Sequence, residues 1–359
     1  MRVRSLWCGA VFAAALAVTP AAAQDAPAPP SDDTRPALPT FFGDTGFWFV
    51  STGETLPARG WSFSLYRSNF DRRQGLTDIS QVGITGAFGV TDRLEIFGSW
   101  RTVNIDRDVR PTFVPGDPDY GGVSHEYPYM RRGWSKTLGG PVYTGFKFNF
   151  MSQGRNQPVA LAGRGMIKFP TGSSWSSTND IDGHFDFIAS GEAGEAVEVT
   201  GNVGWIVRGD SDEFRVSDGL KWGFGAAFPS RAPLRALVEL EGEQVHADEL
   251  SLIAPLVAED FSVAPPTSPI HDPTHFKAGL VWQAPRGWFI HGGMNYSTGT
   301  GDRTVGGREV EHTGWGWEVR VGLHPGVRAR FVPPPPPPPA PPPPPPPPPP
   351  RGGGGGGGG

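Results

Sequence analysis

The stretch that decides the fold is GWGWEVRVGL, from Gly314 to Leu323. Trp315, Trp317, Val319, Val321 and Leu323 take every second position, and Gly314, Gly316, Glu318, Arg320 and Gly322 take the positions between. A period of two belongs to a β-strand, because successive side chains point to opposite faces. One face here is aromatic and β-branched; the other is glycine with one Glu and one Arg. In a soluble sandwich the apolar face would meet a second sheet. In an outer-membrane barrel it would meet lipid, and the charged face would meet the lumen.

The same alternation recurs upstream, in runs around Trp61–Tyr66, Gln81–Phe88, Leu94–Arg101, Val142–Phe150, Val159–Phe169, Phe185–Phe187, Val197–Arg208, Leu220–Phe228, Leu234–Glu241, His275–Trp282 and Trp288–Tyr296. With the opening stretch, that predicts an all-β chain, a transmembrane antiparallel up-and-down β-barrel of about 12 strands, with 14 as the alternative. The connections alternate too. Short ones carry turn residues, as at Gly89–Asp92, Gly191–Gly194, Pro229–Arg231 and Ala284–Gly287. Long ones fall between them, at 105–139, 170–183, 209–218, 245–273 and 297–311. Starting the barrel at Arg59 puts every long loop on one side and both termini on the other, as an even-stranded bacterial barrel requires. Trp61, Trp100, Phe150, Phe169, Trp205, Phe228, Trp282, Trp288 and Trp315 cluster near strand ends and read as an aromatic girdle. A soluble sandwich would use such rings as core, but leaves unexplained why the opposite faces carry charge or glycine.

Composition limits the rest. Arg2 and Arg4, the apolar run Leu6–Val18 and Ala21-Ala22-Ala23 read as a secretory signal over 1–23. Cys8, the one cysteine, lies inside it ahead of the apolar core, the wrong place for a lipoprotein anchor. The mature chain then has neither disulfides nor thiolate metal sites. A formal net charge of −5 argues against a nucleic-acid partner. Hydrophobic content of 37% is low for a large conventional core and fits a barrel with a polar lumen. Residues 24–42 read as a flexible Pro/Ala-rich leader. In 43–58 the consecutive apolar residues Phe47, Trp48, Phe49 and Val50 break the alternation, so this segment reads as a short strand or plug near the periplasmic end. The barrel itself is expected over 59–325.

The expected lumen-lining residues are Arg101, Lys147, Arg164, Lys168, Arg208, Lys221, Arg235, Lys277 and Arg320, with Glu95, Asp186, Glu198, Glu239, Glu241 and Glu318. Two readings stay open. Opposite charges across a narrow lumen would pair, giving a salt-bridged, largely closed interior. Otherwise they line a narrow, slightly cationic pore for small anions or neutral solutes, and Arg164 or Lys221 replaced by Glu would reverse its selectivity. No enzyme is expected. There is no G-x-S-x-G elbow, and His184, Asp186 and Ser190 need no catalytic role as inward strand neighbours. Neither cofactor nor metal is expected; acidic pieces such as Asp117-Pro118-Asp119, Asp180–Gly183 and Asp210–Glu213 lack the spacing of a calcium loop.

From Pro333 to Pro350 the chain is proline except for Ala340, then Arg351 and glycines follow. Such a stretch is a polyproline II rod of about 3.1 Å per residue, on the order of 55 Å long. A signal, a barrel and a Pro-rich linker over 326–359 together resemble the OmpA-family outer-membrane proteins. The segment Gly43–Arg72 is similar to the opening of large OmpA-like barrels. Thr313, Gly314, Trp317 and Val319 resemble the terminal-strand signal read by the barrel-assembly machinery, although Leu323-His324-Pro325 replaces the usual final aromatic. The resemblance implies outer-membrane lipid and the assembly machinery as partners, a tail in the periplasm, and a peptidoglycan-binding domain after the linker. That domain is missing from this sequence, which suggests a truncated or frameshifted reading of the repeats. The expected function is structural, an envelope protein linked toward the cell wall. The alternatives are a narrow diffusion porin and a surface-binding protein acting through the long loops.

Overall fold

The computed structural model describes residues 34–72, 77–107, 135–170, 180–209, 214–215, 217–255, 266–269, 272, 274–298, 303–305, 308–310 and 315–329. Twelve strands form one closed antiparallel barrel: β1 (Trp61–Arg72), β2 (Thr77–Gly89), β3 (Leu94–Arg107), β4 (Ser135–Met151), β5 (Ala160–Phe169), β6 (Asp182–Ala193), β7 (Val197–Val207), β8 (Gly219–Phe228), β9 (Leu234–Val245), β10 (Thr274–Gln283), β11 (Trp288–Thr298) and β12 (Trp315–Leu323). Each pairs with its sequence neighbours. The ring closes between β12 and β1, with Trp317 opposite Asn69 and Leu323 opposite Phe63. Antiparallel closure needs an even number, and closure leaves no strand edge unpaired.

The alternation predicted for Gly314–Leu323 is realised along β12. Trp315, Trp317, Val319 and Val321 are exposed on the outside, while Gly316, Glu318, Arg320 and Gly322 are buried inside. All nine girdle aromatics lie on the outer surface. An apolar band of this extent has no partner in water and fits hydrocarbon. Val319 sits midway along β12, so Val319→Arg should destabilise the folded barrel by about 2–4 kcal/mol, the midplane cost of a lipid-facing cation. Denaturant titration in lipid vesicles reads this directly. Strand β4 carries two register shifts: Asn149 pairs with Ala162 but Met151 with Leu161, and Trp100 pairs with Val142 but Thr102 with Gly139. Pro141 sits in the latter shift, where its missing N–H costs the ladder nothing.

The flanks of the barrel depart from expectation. The leader expected over 24–42 is ordered from Thr34 onward: Thr34–Arg35 pairs with Val327–Arg328, and Leu38–Pro39 pairs with Thr45–Gly46. The linker expected from residue 326 instead begins with Val327 and Ala329 buried. The physical reason is the same on both sides. Leu38, Phe41 and Val327 are apolar residues that find buried partners, so these short segments are not solvated coil. The signal, residues 24–33, the loop pieces 108–134 and 210–213, and the proline stretch lie outside the described residues.

Candidate functional site

The segment 34–56 enters the lumen from the short-turn end, the periplasmic end in bacterial barrels. It wedges between two apolar sockets in the wall. Leu38 and Phe47 pack with Ala227, Leu237, Val281 and Phe289 of β8 to β11. Phe42 and Leu56, both of this segment, pack on the opposite group of Ala87, Phe97, Tyr143 and Met166. Each apolar side chain so buried contributes roughly 1.5–3 kcal/mol. At Gly43, φ is +110° and a Cβ would come 2.7 Å from the Gly98 carbonyl oxygen, so the plug lies against bare wall backbone there.

A segment with so little secondary structure must satisfy its backbone elsewhere. It does so partly by internal turns, such as Phe41 N donating to Trp48 O at 2.7 Å and Phe47 N to Val50 O at 2.9 Å. The wall supplies much of the rest. Glu239 accepts from the N–H groups of Trp48, Phe49 and Val50. Glu95 accepts from Thr45 N and Leu56 N, both at 2.7 Å. Ser190 Oγ accepts from Gly53 N at 2.8 Å. Arg235 donates to Pro36 O at 3.1 Å, and Arg320 donates to Pro39 O. Thus wall acids bind plug amides and wall cations bind plug carbonyls. Glu239→Ala would orphan three buried amides at about 1–3 kcal/mol each. The expected result is a plug whose Thr52→Cys thiol becomes reactive to an impermeant maleimide.

The electrostatic centre is Asp44. Arg164 Nη1 lies 3.0 Å from its Oδ1 and Lys147 Nζ lies 3.3 Å from its Oδ2. Thr40 and Ser51 hydroxyls donate to it at 2.6 Å each. Burial pushes this carboxyl up, but Arg164, Lys147 and the two hydroxyls outweigh it and hold it down at about 2. A second plug charge, Arg35, pairs with Glu198 at 2.5 Å.

The remaining expected lumen residues divide by height. Arg101 stacks its guanidinium 4.6 Å from the centre of the Phe41 ring and donates to Tyr143 Oη at 3.1 Å. Lys277 pairs with Glu241 and lies 3.1 Å from the centre of the Phe49 ring. Arg320 also pairs with Glu318 at 3.1 Å. Toward the long-loop end the wall pairs with itself: Asp186 with Arg164 at 2.8 Å and Lys221 at 3.2 Å, Lys168 with Asp182, and Arg208 with Glu243 at 2.6 Å. Asp182, Glu243, Asp44 and Arg35 are partners that sequence reasoning missed. The two wall acids sit at strand ends beyond the runs read there, and the plug charges lie outside any alternation. His184, Asp186 and Ser190 serve this interior: His184 Nδ1 is 3.2 Å from Lys221 Nζ, and Ser190 holds the plug.

No family model matches the chain, and no curated protein matches it in sequence. Among solved structures it is similar to an outer membrane channel from Pseudomonas putida, with a TM-score of 0.52 at 9% identity over 75% of this chain and 97% of that one. The β domain of a Bordetella autotransporter also matches over 74% of this chain and 99% of that one, at 9% identity and a TM-score of 0.39. What the chain shares with the channel is the fold, a closed antiparallel barrel of the outer-membrane type.

Proposed function

We propose that this chain is an integral outer-membrane protein, a narrow channel that its own N-terminal segment holds shut. The observation that carries this reading is the plug from Thr34 to Leu56, whose amides and carbonyls are bound by the charges of the wall. Those same charges would line an aqueous path once the segment leaves. A barrel of this size is wide enough to need filling, and charged walls are suited to water as well as to a polar plug. The solutes are small and polar. Selectivity by charge is weak, because Asp182 and Glu243 join the expected carboxylates. Replacing Arg164 by Glu is therefore expected to loosen the plug through Asp44 before it alters selectivity.

A second reading is the envelope-linking barrel of the OmpA type. It is favoured by the pairs Lys168–Asp182 and Arg208–Glu243, which join neighbouring stretches of one side of the wall and compensate its charges without a plug, and by the proline-rich sequence after the barrel. Planar-bilayer recording separates the two. A chain lacking 34–56 that conducts steadily supports the channel; one that stays shut supports the filled, structural barrel.

A further inference from the structure

His324 follows the last strand, is fully buried, and stands where three parts of the fold meet. Its main-chain N donates to Gly287 O at 2.9 Å, and its carbonyl accepts from Gln283 Nε2 at 2.9 Å, fixing it to the turn between β10 and β11. Its ring Nδ1 lies 3.0 Å from Gly326 N, which can only donate. Nδ1 is therefore unprotonated, and the ring proton sits on Nε2, 3.2 Å from Thr45 Oγ1 in the plug. The Thr45 hydroxyl in turn donates to Glu95 Oε2 at 2.6 Å. Gly326 opens the segment whose Val327–Arg328 pairs with Thr34–Arg35, the start of the plug. With φ at +92°, and with any Cβ only 2.5 Å from Arg35 O, that turn has no slack. One neutral imidazole thus joins the plug, the wall and the chain leaving the barrel.

We propose that His324 is an acid-sensitive joint: protonating its ring undocks the plug and opens the lumen to small polar solutes. The proposal rests on the channel reading. A proton on Nδ1 would set two donors, Nδ1–H and Gly326 N–H, against each other. The new charge would also lie buried beside Lys147 of β4 and Arg235 of β9. Glu95 of β3 and Asp44 reach it only through Thr45 and Lys147. Burial first, then these two cations, push the ring down to about 3 from its ordinary 6.5. A base held low in the docked state is fully stabilising above its undocked value and loses that contribution as pH falls. Docking weakens about tenfold per pH unit below 6.5, so about 100-fold by pH 4.5. Asp44, held at about 2, contributes little change in this window. Burial raises the Glu54 carboxyl, which acts in the opposite sense, equally in any His324 variant.

The test is planar-bilayer recording of the full chain between pH 6.5 and 4.5, beside His324→Gln and the chain lacking 34–56. Gln keeps an acceptor for Gly326 and a donor for Thr45 without a titration. The expected result is a conducting fraction that rises about 50-fold between pH 6.5 and 4.5 in the parent chain relative to His324→Gln, which keeps only the opposing titration of Glu54. A parent chain and a variant that titrate alike overturn the joint. A deletion chain shut at every pH overturns the channel reading instead. Should His324→Gln fail to form a heat-modifiable barrel, ¹⁵N NMR of the His324 ring in the parent chain decides. Ring protonation that coincides with opening supports the joint, and opening with the ring still neutral removes it.

Discussion

Removing residues 34–56 is expected to turn a shut barrel into an open one, with single-channel current rising by about tenfold or more over the full chain. The wall does not depend on the plug for its integrity, since every barrel strand pairs on both sides and the ring is closed by β12 and β1. What the plug supplies is volume and polar partners. Without it, the apolar sockets around Leu237 and Phe289 and around Phe97 and Met166 are wetted, at a cost to stability but with the ladder intact. Nine wall cations, from Arg101 to Arg320, then face eight carboxylates, the six expected ones plus Asp182 and Glu243. The reversal potential in a salt gradient should accordingly stay near zero. A strongly anion-selective current would show that the wall carboxylates are not charged in the open lumen.

Asp44→Ala is the single substitution with the largest expected effect. It leaves Lys147 and Arg164 buried with part of their compensation gone, and breaking a buried pair costs about 3–5 kcal/mol. At about 1.4 kcal/mol per decade, that raises the undocked population by roughly two to three orders of magnitude. Part of the penalty is relieved by neighbours, since Asp186 still holds Arg164 and Glu95 lies 3.8 Å from Lys147. The readout is labelling of a Thr52→Cys thiol, inside the lumen in the docked state. Acid should mimic the substitution. A carboxyl held at about 2 stabilises docking fully above about pH 4 and loses that contribution as pH falls through 2. A Thr52→Cys thiol that stays equally protected in Asp44→Ala would remove Asp44 from the centre of the plug's hold.

The barrel was legible because its physics is local. Lipid outside and polar groups inside impose a period of two on each strand, and Trp315 to Leu323 carries that period in nine residues. Strand count and loop alternation followed from repeating the same reading. The docking of 34–42 was not legible. Across 24–42, proline, alanine and scattered acids have the composition of solvated coil, and only Leu38, Phe41 and Phe42 among them reveal an apolar stake. The missed signal lay in the wall. Phe97, Leu237, Val281 and Phe289 occupy inward positions of a lumen otherwise lined by charge, and apolar residues there need an apolar occupant. Phe47 and Trp48, which break the alternation, are among the side chains seated in that interior. Pairing partners also escaped, because Lys147 and Arg164 meet Asp44 across more than a hundred residues, a distance that no sequence spacing reveals.

The measurement that tests the plug most directly is a cross-link in native outer membranes. A Cβ on Gly53 would stand 3.0 Å from Ala160 Cβ and 2.6 Å from the Ala160 carbonyl oxygen, so the segment lies against the wall of β5. It needs to ease outward by only about an ångström to reach the roughly 3.5–4.5 Å that a disulfide spans. Under mild oxidation the Gly53→Cys, Ala160→Cys chain is expected to form that bond and to show a loop-closed, reducible shift in gel mobility. Two free thiols that both label with an impermeant maleimide would mean that the segment does not occupy the lumen.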